Sequence, residues 1–507
     1  MVLRRTGPHR SRPERIAGFL IAACLLLGMP AALATGTEQV SDRQAIHVLN
    51  RLAFGPTLDE FRHLKATGIE RYIRQQLEPD SIPEPIELRW RLSQLDTLKL
   101  DPMQLRRLYG PLPALPGFKP SPELEKAQRE RVRLILQEAS EARILRAILS
   151  PRQLQQVMVD FWFNHFNVFS GKRLDDVWIG NYEEQAIRPH ALGRFRDLLF
   201  ATEKHPAMLV YLDNALNTAP GSPGAHGKEK GLNENFAREV MELHTLGVDG
   251  GYTQDDVITL ARIFTGWGIN PPDARAYPEY AAVFDSTRHD YSPKVFLGRA
   301  LKSSGKAEGE EALDILAHSP ATAHHISFEL AQYFVADDPP SALVDRLAAR
   351  FQETDGDLRE VLRTLFSSSE FWDSAGGKYK SPYQFVISAV RAAGVPVGSV
   401  RPLLGAMDQL GMPLYGCQTP DGYKNTEEAW LSPEATTRRI SFATALAHGG
   451  LWSNDPAGLS TAHPVEAGHL EAVFGSAMTD TARDVIGQAP PGLRAALILG
   501  GPDFMRR

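Results

Sequence analysis

Cysteine is scarce in this sequence: 507 residues contain only Cys24 and Cys417. Cys24 lies in an N-terminal segment that we expect to be removed, so the remaining chain cannot form an internal disulfide. A chain of this length without cross-links has to be stabilised by its hydrophobic core. The sequence also has no Cys-x-x-Cys, no H-E-x-x-H, no G-x-S-x-G and no phosphate-binding loop. The signatures of several common enzyme classes are therefore missing.

An excess of basic residues is also lacking. The net charge is -6, and removal of residues 1–34 leaves 50 Lys+Arg against 60 Asp+Glu, a net charge of -10. Binding to phosphate backbones needs a basic face, so we expect no nucleic-acid partner. Hydrophobic residues make up 43% and charged residues 23% of the chain, which is typical of a globular protein and not of a disordered one.

The N-terminus carries the pattern of an export signal. Five arginines precede an apolar run from Ile16 to Met29, and Ala32-Leu33-Ala34 follows. This order is typical of a secretory signal peptide, so we expect cleavage near Ala34 and a periplasmic or secreted mature protein without a transmembrane span. The alternative is a lipoprotein, because Ile21-Ala22-Ala23-Cys24 has the form of its processing box. The residues after Cys24 stay apolar, whereas a lipoprotein continues with a polar tether.

The mature chain is predicted to be mostly α: a large multi-helix domain with Pro-rich insertions and a few short strands. Residues 110–122 are too rich in proline for a regular element, and 271–300 contains the best strand candidates. We expect one domain over 35–507, and a division into lobes at 35–270 and 300–507 is the alternative. Helices are predicted at 41–54, 69–77, 123–149, 152–169, 232–246, 254–264, 310–318, 320–335, 340–353, 357–368, 382–393, 399–410, 434–448 and 490–499.

The first candidate site segment is Phe161-Trp162-Phe163-Asn164-His165-Phe166-Asn167. Its aromatic residues predict a buried helix, and buried polar groups need partners. One interpretation is a core helix whose His165 binds neighbouring backbone. The other is that His165 acts as a general base or metal ligand in an apolar pocket, with Asn164 binding substrate.

The second segment is a polar helix over 232–246. Asn235, Arg238, Glu239 and Glu242 share one helical face, and Gly247 is placed for a left-handed cap. These side chains form a structural ionic network, a solvated face or a site. As a site, Glu239 and Glu242 act as acid–base groups and Asn235 and Arg238 bind substrate. A metal set of His165, Glu239 and His244 is a further hypothesis.

The third segment is His289-Asp290. A histidine beside a carboxylate can be a general base with its orienting group, so both are catalytic candidates that close the pocket. The same dipeptide is also common in turns.

Taken together, the long segments of this chain resemble a known family. HVLNRLAFGPT, WFNHFNV, LNENFAREVMELHTLGVDGGYTQDDV, ARIFTGWGI, KYKSPYQFV and GMPLYGCQTPDGY occur in this order, as in the bacterial domain of unknown function 1800. The resemblance covers roughly residues 41–505. It implies an exported protein, often encoded beside a second uncharacterised protein that looks like the phosphatase and sulfatase superfamily. It implies no reaction.

Three function hypotheses follow. The chain is an exported enzyme with a polar, acidic helix site that acts on a polymer or an anionic substrate, with a divalent metal as one option for a cofactor. Alternatively, it is a non-catalytic assembly or export partner of the phosphatase/sulfatase-like neighbour. The third hypothesis is a haem-binding oxidoreductase, because short elements within 233–246 resemble animal haem peroxidases.

Overall fold

A computed structural model describes residues 40–111, 119–172, 174–227, 231–270, 281–452 and 464–507. The predicted signal peptide, its cleavage near Ala34 and the lipidation candidate Cys24 lie outside these residues. So do most of the Pro-rich stretch 110–122 and the first third of 271–300. Gln39–Arg507 forms one unit, and the two-lobe division stays a prediction.

The mostly α prediction is confirmed, because 24 α-helices lie within the described ranges. They are Asp42–Leu52 (α1), Leu58–Thr67 (α2), Ile69–Leu77 (α3), Ile86–Ser93 (α4), Pro102–Tyr109 (α5), Pro122–Leu149 (α6), Gln153–His165 (α7), Asp175–Tyr182 (α8), Phe195–Glu203 (α9), Pro206–Tyr211 (α10), Asn235–Glu242 (α11), Gln254–Ile263 (α12), Lys306–Ala317 (α13), Pro320–Phe334 (α14), Ser341–Glu353 (α15), Leu358–Phe366 (α16), Ser369–Asp373 (α17), Pro382–Ala393 (α18), Arg401–Gln409 (α19), Glu427–Trp430 (α20), Pro433–Ala447 (α21), Ala467–Phe474 (α22), Asp480–Gln488 (α23) and Pro491–Gly500 (α24).

The strands described are few and short. Trp267–Ile269 (β1) pairs antiparallel with Ala282–Phe284 (β2), and Val295–Phe296 (β3) pairs antiparallel with Arg299–Ala300 (β4). Three of these four strands fall in the predicted strand segment 271–300. No helix in the described part of the chain is long and apolar enough to cross a membrane.

Several helices begin where their sequence predicts. Ser41 caps α1 in a capping box with Gln44, and Thr253 does the same for α12 with Asp256. Each box satisfies two amide groups that a helix start leaves without partners. The region 175–211 was not predicted in detail, and it holds α8, α9 and α10.

The helix predicted over 232–246 is shorter in the structure. It covers Asn235–Glu242, because the Asn233 side chain accepts a hydrogen bond from the Asn235 amide and starts the helix late. At the other end the amides of Leu243 and His244 both donate to the Glu239 carbonyl, so the last turn opens. Gly247 has a φ of +84°, the left-handed conformation predicted for it.

Helix α7 lies in the core and is held there by buried charges. Arg143 on α6 is 2.7 Å from Asp160 of α7 and 3.1 Å from Glu183. Its guanidinium also lies over the Phe163 ring at 4.8 Å. A charge buried in this way is tolerated when it is paired and hydrogen-bonded. The network fixes the helix whose last residue is His165.

Candidate functional site

A cavity of about 220 Å³ opens beside the end of α7, and we call it the His165 cavity. Residues of α7 and α14 form its inner wall, and residues 412–425, an irregular segment after α19, form much of the outer wall. The residues used below that line it are Asn164, His165, His325, Glu329, Asp421 and Tyr423.

His165 is held from both ring nitrogens. Its Nδ1 lies 2.6 Å from Glu329 Oε2, and its Nε2 donates to the main-chain oxygen of His244 over 3.3 Å. The Glu329 contact is oblique, and Oε2 makes no well-aligned hydrogen bond. The contact places the Glu329 carboxylate directly beside the His165 imidazole.

Glu329 lies between two histidines. Its Oε1 is 3.6 Å from His325 Nε2, which donates to the Leu243 carbonyl over 3.2 Å. The carbonyls of two consecutive residues, Leu243 and His244, thus orient the two histidines that flank one carboxylate. This arrangement is built by the open last turn after α11.

The electrostatic surroundings favour the charged form of Glu329. Burial acts to raise the pKa of Glu329, but the charge and hydrogen bond of His165 and the charge of His325 outweigh it, so the pKa lies below its ordinary value. Burial lowers the pKa of His325, and Glu329 opposes that effect.

Glu239 presents a second carboxylate near the cavity. It lies one turn before the lining residue Leu243, is half-buried, and makes no side-chain hydrogen bond or ion pair with any described residue. Burial raises the pKa of Glu239 above its ordinary value, His244 opposes this, and the neighbouring charges of Glu242 and Asp421 add to it.

Asn164 anchors the outer wall. Its side-chain amide donates to the Tyr423 carbonyl over 2.9 Å and accepts from the Tyr423 amide over 2.8 Å. Gly422 has a φ of +66°, and a Cβ there would lie 2.3 Å from the Asn164 carbonyl oxygen. Only glycine fits this approach. Asn164 is predicted to bind substrate, but in the structure its side-chain amide binds the backbone of the outer cavity wall.

With this geometry described, comparison with known proteins adds one finding. A family model described as "Protein of unknown function (DUF1800)" matches residues 47–506. The chain belongs to this family. The resemblance seen in its motifs is confirmed. No curated protein and no solved structure matches the chain.

The other residues predicted on α11 of this DUF1800 chain point away from the cavity lining. Arg238 lies 3.3 Å from Glu234 and donates to Gln254 over 3.0 Å. The exposed Asn235 donates to the Leu212 carbonyl over 3.3 Å. Glu242 accepts a 3.5 Å hydrogen bond from Tyr252. The predicted common face of α11 thus divides between Glu239, one turn before the lining residue Leu243, and side chains with polar contacts outside the lining.

His289 and Asp290 do not pair as expected. The His289 Nδ1 donates to the Thr265 carbonyl over 2.8 Å, and its Nε2 lies 3.3 Å from Glu308. The Asp290 carboxylate lies 2.8 Å from Arg262 instead. Neither residue lines the His165 cavity, so the pocket-closing role predicted for them has no support in the geometry.

The suggested metal ligands do not converge. Among the residues that the structure describes, no group of three or more His, Cys, Asp and Glu side chains is arranged to hold a metal ion. His165 directs its nitrogens to Glu329 and a carbonyl, and His244 Nδ1 lies 2.8 Å from Glu203. Sequence reasoning missed Glu329, Glu203 and His325, because nothing in their local sequence distinguishes them from ordinary helix residues.

Proposed function

We propose that this DUF1800 chain is an exported enzyme that uses general acid–base catalysis, with His165 and Glu329 as the proton-transferring pair. The observation that carries the proposal is the histidine fixed at both nitrogens, with a carboxylate 2.6 Å away, on the wall of a cavity. A positioned histidine–carboxylate pair is the usual device for moving a proton to or from a reacting group.

The second carboxylate supports the same chemistry. Surroundings push the pKa of Glu329 down and that of Glu239 up. Two nearby carboxyl groups whose pKa values are driven apart can serve as base and acid in one reaction. We assign Glu239 the role of general acid, and the His165–Glu329 pair that of general base.

The size and charge of the cavity limit the substrate. About 220 Å³ is below the usual range of roughly 300–1,000 Å³ for ligand pockets, so the cavity suits one unit of a polymer or a small molecule. Glu329 and Asp421 line it, and the lining Lys424 lies 2.6 Å from Asp421. Arg238, the predicted anion-binding group, pairs with Glu234. We therefore propose an uncharged polar group as the substrate in place of an anionic one.

The test is hydrolysis of chromogenic substrates by the purified mature chain. Uncharged 4-nitrophenyl glycosides and N-acetylated neutral amino-acid 4-nitroanilides are compared with the anionic 4-nitrophenyl phosphate, sulfate and glucuronide. We expect turnover among the uncharged set only. Glu329→Gln and His165→Gln should then lower kcat/KM about 10²–10⁴-fold, the usual contribution of general acid–base catalysis. Glu242→Gln, on the same acidic segment but outside the lining, is the matched control.

Two results would contradict the proposal. One is an activity that survives Glu329→Gln and His165→Gln unchanged. The other is an activity confined to the anionic substrates. The metal content is measured on protein purified without affinity metals. A stoichiometric metal that is lost in His165→Gln would make His165 a metal ligand in place of an acid–base group. Export is tested by cell fractionation and by the N-terminal sequence of the mature protein, which we expect to begin near Thr35.

The assembly hypothesis has one observation in its favour. Ile86 and Trp90 lie one turn apart on α4 and are 77% and 63% exposed, which is unusual for large apolar side chains side by side. If the chain assembles with its phosphatase/sulfatase-like neighbour, Trp90→Ala should weaken co-purification of the two proteins. Leu493→Ala, which removes an apolar residue of α24 that is 47% exposed, is the control.

A further inference from the structure

A buried pair of ionisable residues lies behind His165. Glu203, the last residue of α9, and His244 are both fully buried, and His244 Nδ1 lies 2.8 Å from Glu203 Oε1. The approach is oblique to the ring. Neither carboxylate oxygen of Glu203 and neither ring nitrogen of His244 makes a well-aligned hydrogen bond to a described residue.

Such a pair contributes little to the free energy of folding. Burying a carboxylate and an imidazole costs hydration free energy. Their mutual attraction offsets this cost only when their remaining polar atoms also form hydrogen bonds. Apolar side chains of the same size often stabilise a fold equally well or better. A buried polar pair whose donors and acceptors lack well-aligned hydrogen bonds therefore needs an explanation other than packing.

The position of His244 supplies that explanation. Its main-chain oxygen accepts the hydrogen bond of His165 Nε2, and the preceding carbonyl, Leu243, accepts that of His325. The rings of His165 and His244 are 6.1 Å apart. Both accepting carbonyls lie in the turn after α11, and no backbone amide of a described residue donates to either of them. The side chain of His244 is attached to this turn, and Glu203 holds that side chain.

We propose that Glu203 is a positioning residue for the acid–base pair. Through His244 it fixes two consecutive carbonyls, and these carbonyls orient His165 and His325 on Glu329. The catalytic consequence rests on the proposed function, whereas the positioning itself does not. Glu203 touches no substrate in this scheme, because it lies behind the wall that His165 forms.

The test follows the ring N–H protons of the histidines by ¹H–¹⁵N NMR, with His165→Gln and His325→Gln used for assignment. The wild-type chain should give a protected ring N–H signal for His165 Nε2, which donates to the His244 carbonyl. Glu203→Met, which keeps the size of the side chain and removes its charge, should remove the His165 Nε2–H signal and shift that of His325. Glu203→Gln, whose amide can still bind His244, should retain the wild-type spectrum.

Controls keep the outcomes separate. His244→Asn disturbs the pair from its other side and should have the effect of Glu203→Met, so the test stands even if one variant does not fold. Glu308→Gln alters the remote His289–Glu308 pair and should leave the His165 signals unchanged. Wild-type signals retained in folded Glu203→Met or His244→Asn would overturn the proposal.

The result can be distinguished from failure of the proposed function. If the wild-type chain lacks the His165 Nε2–H signal, the geometry of the acid–base pair itself is wrong. If the signals behave as expected and no substrate is turned over, the positioning stands and the catalytic assignment falls. With an active substrate, Glu203→Met should lower kcat and leave KM unchanged, because the pair orients reacting groups and does not bind substrate.

Discussion

Two histidine–carboxylate pairs in this protein look similar and differ in their surroundings. His165 meets Glu329 on the wall of a cavity, whereas His289 meets Glu308 in a fully enclosed position between the rings of Phe284 and Tyr291. Glu308 also has a lysine partner: Lys294 Nζ lies 2.8 Å from it and is completely buried. Among the described residues, the side chains that form ion pairs with Glu329 are the histidines His165 and His325.

This difference shows what makes such a pair chemically available. A buried carboxylate that pairs with a buried lysine is already engaged in a structural ion pair. A carboxylate shared between two histidines beside a cavity can gain or lose a proton where a substrate can reach it. The adjacency of His289 and Asp290 in the sequence is a poor guide, because the functional partner of a histidine is set by the fold.

The largest effect that would test this contrast is on stability. Glu308→Ala should lower the free energy of unfolding by about 3–5 kcal/mol, because it removes the carboxylate nearest to the buried Lys294 and leaves only Asp290, 4.0 Å away, to balance that lysine. Glu329→Ala should lower it less, because the neighbours that lose their carboxylate are histidines and not a buried lysine. Denaturant unfolding of both variants at neutral pH measures the difference. Equal losses would show that the two pairs are not distinct in kind.

A second prediction uses histidines that have no carboxylate partner. Burial lowers the pKa of His205 to about 3. Since the unfolded chain binds a proton near pH 6.5 and the folded chain does not, His205 reduces stability progressively as pH falls below 6.5 towards 3. Between pH 7 and pH 5 this amounts to about 2 kcal/mol. Denaturant unfolding of His205→Gln should be less pH-dependent than wild type by that amount.

His318 provides the control for this pH dependence. It is half-exposed and 2.7 Å from Asp355, so the His318→Gln variant should not reduce the loss of stability between pH 7 and pH 5. If His205→Gln and wild type lose the same stability over this range, His205 is not neutral in the folded chain.

Much of the fold could be predicted from the sequence, and only half of the site. Helix α7 with His165 is marked by an aromatic run, and α12 by a capping pattern at Thr253, because such signals are local. Glu329 and Glu203 carry no local signal, since their roles come from contacts with residues far away in the chain. Asn164 was identified as important, yet its partner, Tyr423, could not be inferred without the fold.

Asn164 allows a third and smaller test, of the cavity wall. Asn164→Ala removes two hydrogen bonds to the backbone of Tyr423. At about 0.5–1.5 kcal/mol for each hydrogen bond, the variant should lose roughly 1–3 kcal/mol of unfolding free energy. Limited proteolysis should cut within residues 412–425 faster than in wild type. Asn164→Asp keeps the acceptor and loses the donor, so its stability and its rate of proteolysis should lie between those of wild type and Asn164→Ala. Unchanged proteolysis would mean that the wall is held by its other contacts.

The smallest expected effect concerns Arg238, which lies on α11 next to Glu239 but makes its contacts at the surface. Its ion pair with Glu234 is 40% and 38% exposed, and exposed pairs contribute about 0–1 kcal/mol. Arg238→Ala should therefore change the free energy of unfolding by less than about 0.5 kcal/mol and leave kcat/KM unchanged, whereas Glu239→Gln on the next residue should reduce kcat. A large rise in KM for Arg238→Ala would restore the anionic substrate and move the binding site from the His165 cavity to the face of α11.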